Sequence, residues 1–175
     1  MAFLKVKGTN DIKRNMLACA IDVSETGETP EYVVVGYKID SSTLDFNADV
    51  ETGTDINGRA FSSVNKLELS QTFDPHRLTG GELGRLGEKL INYVIDNNVE
   101  MFSNFKVVIV YGFLESDEPG QYVARMYDKC TVVPQSLGGD LWTDMPFDVN
   151  FGGNVTKGMA DGLIDTIKFT PTPEL

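Results

Sequence analysis

The sequence has few of the residues from which metal and redox sites are built. Its 175 residues include two cysteines and one histidine. Neither Cys19 nor Cys130 has another cysteine or a histidine nearby at metal-ligand spacing, so the sequence predicts no zinc site. Both cysteines lie in apolar, strand-like stretches, which favours two buried, reduced thiols over a disulfide. We therefore expect neither a metal ion nor a cofactor.

Long apolar runs and clustered positive charge are missing as well. No run approaches the ~18 apolar residues of a membrane-spanning helix, and Met1–Asn15 lacks the apolar core of a signal peptide. We therefore expect a chain that is made in the cytoplasm and contacts no membrane. The net charge of −11 argues against a protein that binds a phosphate backbone tightly, because such a protein needs a clustered basic face.

Catalytic motifs are equally scarce. His76 lies in an Asp-Pro-His-Arg turn, and a hydrolase triad with Ser70 or Ser136 is one alternative reading. No nucleophile-elbow sequence surrounds either serine, and a turn position before a helix accounts for His76. We therefore expect no enzymatic activity.

One stretch, Thr79–Asn98, predicts an α-helix. Thr79 and Glu82 match a capping box, and Asn97 suits the left-handed conformation that ends many helices. Apolar residues recur at helical spacing along one face. They are Leu83, Leu86, Leu90, Ile91, Val94 and Ile95.

The rest of the chain predicts about eight strands. Phe105–Leu114 is the most hydrophobic and should be central, and Gln121–Pro134 is its long return strand. Phe151–Asp161 is a glycine-rich connection. Because the helix must bury its stripe on a sheet, the sequence predicts a single mainly β (α+β) domain over residues 1–175, an antiparallel β-sandwich or barrel with one flanking α-helix. The other predicted strands are Asn15–Val23, Glu31–Ile39, Thr43–Glu51, Val64–Phe73, Met145–Phe151 and Gly162–Thr170.

Thr43–Glu51 shows the clearest alternation in the chain. Leu44, Phe46, Ala48 and Val50 alternate with Asp45, Asn47, Asp49 and Glu51. Carboxylates in a row along a strand repel one another, so fold stability does not require them. A solvated outer face explains them, and so does a surface that lines a space where negative charge is useful. Calcium binding by Asp40, Asp45 and Asp49 is disfavoured because their spacing does not match an ion loop.

Three segments are expected to project from the core. The arm over residues 1–14 holds four basic residues and one acidic residue, a net +3 within the total of −11. Glu51–Ser63 is a polar β-loop around Asn57-Gly58, a strong hairpin signal. The third segment is the proline-containing tail over residues 170–175.

The order of strand pair, projecting loop, strand, capped helix and long hairpin resembles the tail tube (major tail) proteins of long-tailed bacteriophages. The likeness spans about Asn15 to Thr170. Inner tube proteins of contractile tails and of type VI secretion systems share that fold and remain alternatives, and a small-ligand-binding β-barrel is an alternative of another class. The stretches that carry the resemblance are Leu69–Arg77, Val107–Phe113, Cys130–Asp140 and Met145–Gly153.

The resemblance implies a structural virion protein of the phage tail, assembled in the host cytoplasm. Hexameric rings would stack into a hollow tube that conducts DNA into the host, with tape measure, tail terminator and distal tail proteins as partners. An acidic lumen would keep the passing phosphate backbone from adhering, with Asp45, Asp49 and Glu51 as lumen candidates. The candidates for ring stacking are Lys5, Lys7, Lys13, Arg14, Asp55, Asn57 and Arg59.

Overall fold

The computed structural model describes residues 4–39, 41–116 and 118–172. Over these residues the chain is mainly β, with one α-helix, α1 (Arg85–Ile95), and three short 3₁₀ turns. The predicted mainly β fold with antiparallel sheets and one flanking helix is therefore confirmed, with twelve described strands in place of the eight expected. They are β1 (Leu17–Asp22), β2 (Tyr32–Val35), β3 (Leu44–Asp45), β4 (Ala48–Thr54), β5 (Ala60–Leu67), β6 (Ser70–Phe73), β7 (Phe105–Tyr111), β8 (Tyr122–Pro134), β9 (Phe147–Asn150), β10 (Val155–Ala160), β11 (Thr166–Ile167) and β12 (Phe169–Pro171).

Ten of these strands form one sheet in which every pairing is antiparallel. The order is β11–β2–β1–β7–β8–β9–β6–β3, and β10 pairs with both β8 and β12. The remaining two strands, β4 and β5, pair only with each other. The order of the large sheet ends at β11 and at β3, which favours an open sandwich over a closed barrel.

The long strand β8 joins two parts of the sheet. Its first part pairs with β7 and with β10, whereas residues 131–134 pair with β9. The predicted return strand, Gln121–Pro134, is therefore confirmed. Because one strand belongs to both parts, the strands around β7 and those around β9 enclose a common core.

Strand β7 lies at the centre of that core, as its hydrophobicity predicts. Val107, Val108, Ile109 and Val110 are completely buried. Successive side chains of a strand point to opposite faces. Val107 and Ile109 therefore join the apolar cluster that includes α1, and Val108 and Val110 join a second cluster with side chains from β10 and β11.

The helix is shorter than predicted. Glu82–Gly84 forms a 3₁₀ turn, α1 begins at Arg85, and Gly84 is the N-cap without a side-chain hydrogen bond. The predicted capping box between Thr79 and Glu82 is therefore wrong. Asn97 has φ 49°, which confirms the predicted left-handed residue after the helix.

The predicted apolar stripe is correct only in the first part of the helix. Leu86 and Leu90 are buried in the core, but Val94 and Ile95 are exposed. Tyr93 turns inward instead, and its ring makes edge contacts with Phe102 and Phe105 at centroid distances of 5.8 and 6.2 Å. Tyr93 and Phe102, the latter from the following 3₁₀ turn, therefore pack against the core in place of Val94 and Ile95. The Leu83 side chain lies outside the described part of the structure.

The alternating strand predicted over Thr43–Glu51 is wrong as a single element. It splits into β3 and β4 at Asn47, which has φ 42°. The Asn47 side-chain amide donates to the Glu68 carbonyl at 2.9 Å and to the Ser70 hydroxyl at 2.8 Å. The predicted strand Val64–Phe73 splits opposite this point, into β5 and β6. These hydrogen bonds fix the place where the β4–β5 pair leaves the sheet.

The glycine-rich connection predicted over Phe151–Asp161 contains strand β10. Its Gly158 lies directly against the Phe169 ring of β12, and a Cβ atom would collide with that ring. A glycine is needed at this position of β10 because a larger residue would leave no room for the aromatic ring of the neighbouring strand. The predicted final strand Gly162–Thr170 is divided into β11 and β12.

Candidate functional site: a projecting β-ribbon

Strands β4 and β5 form a two-stranded ribbon outside the large sheet. Pairing runs from Ala48 opposite Leu67 to Thr54 opposite Ala60. Every residue of the two strands is exposed except Gly53, which lies under the Phe61 ring. The β-loop predicted over Glu51–Ser63 lies within this ribbon, and the paired strands extend beyond it on both sides.

Asp55 organises the turn at the tip of the ribbon. One carboxylate oxygen accepts hydrogen bonds from the backbone N–H groups of Asn57 at 2.8 Å and Arg59 at 2.9 Å. The Asp55 carbonyl accepts from Gly58 N–H at 2.9 Å, and Gly58 has φ +74°, a conformation that glycine adopts at little cost. The Asn57 and Arg59 side chains are exposed at this tip. Asp55 therefore shapes the turn, and Asn57 and Arg59 are free to contact a partner.

One face of the ribbon is apolar near its root. Paired residues of an antiparallel ribbon point to the same side, which places Ala48 and Val50 beside Val64 and Leu67. Val50, Val64 and Leu67 are 52%, 59% and 56% exposed. The apolar face predicted for the alternating segment therefore exists in β4, but no residue of the described chain covers it.

The opposite face of the ribbon carries charge. Asp49 lies opposite Lys66, and Glu51 lies opposite Ser63. Both carboxylates are exposed, as is Asp45 on the edge strand β3. The structure therefore groups two of the three lumen candidates on one face and places Asp45 in the large sheet. The prediction that all three share one strand is wrong, because the chain turns at Asn47.

Part of the basic arm has its partner within its own chain. The Lys5 carbonyl accepts from Glu115 N–H and Lys7 N–H donates to the Phe113 carbonyl, each at 2.8 Å. The Lys7 ammonium lies 5.0 Å from the centre of the Tyr122 ring. Lys5 to Lys7 therefore pair with residues 113–115 instead of projecting from the core as expected. Residues 1–3 lie outside the described chain.

Arg14 and Lys13 differ in their surroundings although they are adjacent. The Arg14 guanidinium donates to the Ser42 carbonyl at 2.9 Å and to the Leu17 carbonyl at 2.6 Å. Lys13 is exposed. Arg14 therefore holds two segments of its own chain together, which was not expected of a ring-stacking residue. The predicted tail over residues 170–175 begins inside β12, and its last three residues lie outside the described chain.

His76 is a core residue. It is buried, its ring lies edge-on to Phe147 at 4.9 Å, and its Nδ1 has no hydrogen-bond partner. Burial lowers the pKa of His76 below its ordinary 6.5, and the nearby Asp144 carboxylate opposes this shift. The Ser70 hydroxyl, considered as a nucleophile, accepts a hydrogen bond from Asn47. His76 therefore packs in the core against Phe147.

Both cysteines are free and buried, as predicted. Burial raises the pKa of the Cys130 thiol to about 11 and raises the pKa of Cys19 as well. Within the described residues, no group of three or more histidine, cysteine, aspartate or glutamate side chains is arranged to hold a metal ion. Asp45 and Asp49 lie in different strands, and Asp40 lies outside the described chain.

The sequence analysis missed an exposed apolar loop between β8 and β9. Leu137, Leu141 and Trp142 are all exposed there. The available signal was the presence of three large apolar residues within residues 136–142, which otherwise contain only serine, glycine and aspartate. The second missed feature is Gln71, which is buried next to a cavity; nothing in the local sequence of β6 distinguishes it from a solvent-facing glutamine.

No protein-family model matches the chain, and no curated protein matches it. Among the helices of the described residues, none has the length and apolar character that crossing a membrane requires.

Proposed function

We propose that this chain is the tail tube protein of a long-tailed bacteriophage. In this proposal hexameric rings of the chain stack into the hollow tube through which DNA enters the host, with tape measure, tail terminator and distal tail proteins as its neighbours. The observation that carries the proposal is the β4–β5 ribbon, which projects from the body and exposes an apolar face. The resemblance described above supplies the identity of the assembly.

The ribbon needs a partner to be stable. An isolated two-stranded hairpin is only marginally stable in water, and both faces of this one are exposed. Burying the exposed halves of Val50, Val64 and Leu67 would contribute roughly 1 kcal/mol for each side chain. A structural role in which copies of one chain cover each other's ribbons explains why these side chains remain apolar.

The position of the ribbon also favours self-assembly. It leaves the large sheet beside β3, a two-residue strand at the edge of that sheet. Natural proteins usually cover or pair such an edge. A ring of identical copies would cover both the edge and the ribbon with the same set of contacts.

The charges support a conduit for DNA. Asp45, Asp49 and Glu51 are exposed close to the root of the ribbon, and the chain carries −11 overall. A lumen lined by carboxylates would repel the phosphate backbone, so that DNA could pass without being held. No catalytic step is part of this proposal.

Electron microscopy of the purified protein tests the proposal. At high concentration, negative-stain images should show long tubes with a central channel. A chain that stays strictly monomeric, even with the distal tail protein present to initiate assembly, would overturn the proposal.

A ribbon deletion tests whether assembly requires the ribbon. The Glu68 N–H donates to the Phe46 carbonyl at 3.0 Å, so the two chain ends at the root are adjacent and two glycines can replace residues 48–67. This variant should unfold cooperatively at a temperature close to that of the wild-type monomer and form no tubes. If it still forms tubes, the ribbon is not an assembly element and the proposal loses its main support.

A further inference from the structure

A cavity of about 410 Å³ lies between β1, β2, β6 and the loop before β11. Its volume is within the range of small-ligand pockets. Its walls are mostly apolar side chains, and it opens to solvent. The apolar wall consists of Leu17, Val34, Val35, Phe73, Leu163 and Ile164.

Gln71 lines the cavity and carries a buried hydrogen-bond acceptor without a partner. The Gln71 side chain is 2% exposed, and its Oε1 has no hydrogen-bond partner. The orientation of the amide is fixed by its neighbour Ser42. The Ser42 hydroxyl donates to the Thr72 carbonyl at 2.7 Å, so its oxygen must accept from Gln71 Nε2 at 3.0 Å. Oε1 is therefore the atom without a partner.

The cavity thus has a specific chemical preference. Leaving a buried acceptor without a donor is unfavourable, and native proteins rarely do so. An apolar group of moderate size that carries one N–H donor would satisfy the walls and Gln71 together. An indole has these properties, because its ring is apolar and its Nε1–H is a donor only.

The chain presents an indole on a separate surface. Trp142, the one tryptophan of the sequence, is 56% exposed and is not among the residues that line the cavity. Its loop is closed by two backbone hydrogen bonds between Gly138 and Asp144, at 3.1 and 2.6 Å. The Arg77 guanidinium lies 4.9 Å from the centre of the Trp142 ring. The indole is therefore held in place by its own chain before any partner arrives.

We propose that Trp142 of one copy occupies the Gln71 cavity of a second copy, with the indole N–H donating to Gln71 Oε1. This proposal rests on the proposed function, since it names a contact between subunits of the tube. The two surfaces differ, so the contact is head-to-tail, and contacts of this type generate closed rings when the rotation closes.

Tryptophan fluorescence of the wild-type protein tests the contact directly. On assembly, the emission maximum should shift to shorter wavelength and quenching by acrylamide should decrease severalfold, because the indole leaves water. Tubes that form with unchanged emission and quenching would overturn this inference and leave the proposed function standing. A chain that never assembles would overturn both.

Two substitutions test the partners separately. Gln71→Leu removes the acceptor and Trp142→Phe removes the donor while keeping an aromatic ring. We expect each to raise the protein concentration needed for assembly about tenfold, which corresponds to about 1.4 kcal/mol. The Gln71→Leu monomer should melt at the wild-type temperature or above it, since an unpaired buried oxygen has been removed.

The double variant decides whether the residues act together. If they form one contact, the double variant should need no higher protein concentration for assembly than the single variant that assembles less readily. Effects that multiply to about a hundredfold would show that the two residues act at different places, and the inference would be wrong. Should Gln71→Leu fail to fold, the fluorescence of the wild-type protein still provides the test.

Discussion

Phe147 packs against side chains from two other segments of the core. Its ring stacks on Phe73 with centroids 5.0 Å apart and lies edge-on to His76. We expect Phe147→Ala to lower the free energy of unfolding of the monomer by about 3–5 kcal/mol, because it leaves a cavity that its neighbours cannot fill. Urea denaturation measures this loss.

Phe46→Ala is the matched control for this substitution. Phe46 is 60% exposed, so the same change should cost less than about 0.5 kcal/mol in the monomer. Equal losses at both positions would contradict the assignment of Phe147 to the core.

His76 should make the stability of the monomer depend on pH. Its pKa in the fold lies below the ordinary 6.5 of the unfolded chain, so the unfolded chain binds more protons. Its stabilising contribution is therefore complete above pH 6.5 and declines as the pH falls from 6.5 towards the folded pKa. In that window the wild-type stability should fall more steeply than that of His76→Phe, by up to about 1.4 kcal/mol per pH unit.

Urea denaturation of both proteins at a series of pH values measures this difference. Carboxylates distant from His76 contribute equally to both proteins, so subtracting the two curves isolates His76 together with its interaction with Asp144. Identical slopes would show that the histidine is already charged in the fold or is solvated there.

At the scale of elements, the two faces of the ribbon should respond differently to a new charge. Val64→Lys places an ammonium on the apolar face, whereas Ser63→Lys places it on the charged face opposite Glu51. We expect Val64→Lys to abolish tube formation, because the buried ammonium would have no partner. Both variants should unfold within about 0.5 kcal/mol of the wild-type monomer, since both sites are exposed.

Sedimentation after assembly distinguishes the two variants. Ser63→Lys should still pellet as tubes. If Val64→Lys pellets equally well, the apolar face is not buried on assembly.

Elements with a strong local pattern could be predicted from the sequence, and those that depend on distant contacts could not. The hydrophobic run of β7 and the Asn57-Gly58 turn were both expected, because neighbouring residues specify them. The end of β3 at Asn47 was missed, because hydrogen bonds to Glu68 and Ser70 fix it from the other side of the ribbon. Alternation also predicted an apolar face in β4 without indicating what covers it.

For the candidate site, the sequence indicated the loop but not its surroundings. Asp49 and Glu51 were expected on one face, and they share one. Arg14 was expected to contact another ring, but it donates to carbonyls of its own chain. Gln71 and Trp142 were missed because burial and exposure there depend on how β6 and the β8–β9 loop pack in three dimensions.

At the scale of the whole molecule, the net charge of −11 should oppose assembly. Copies repel one another at low ionic strength, and the Debye length shortens to ~10 Å at 0.1 M salt. We therefore expect tubes to form at a lower protein concentration in 300 mM than in 20 mM NaCl, as measured by sedimentation. As a control, KCl at the same ionic strength should lower the required protein concentration equally. Weaker assembly at high salt would contradict the prediction and show that attraction between opposite charges dominates the contacts.

Among the described residues, neither ribbon strand pairs with the large sheet, and the ribbon meets the body at its root, where Phe46 and Glu68 are hydrogen-bonded. Its backbone hydrogen bonds can therefore open without any strand of the large sheet separating, and the two parts of the molecule have separate time scales of opening. In the monomer, ribbon amides should exchange with deuterated solvent long before those of β7. In a tube they should exchange only when subunits dissociate. The exchange rates of the ribbon amides would then measure how long each contact between subunits lasts.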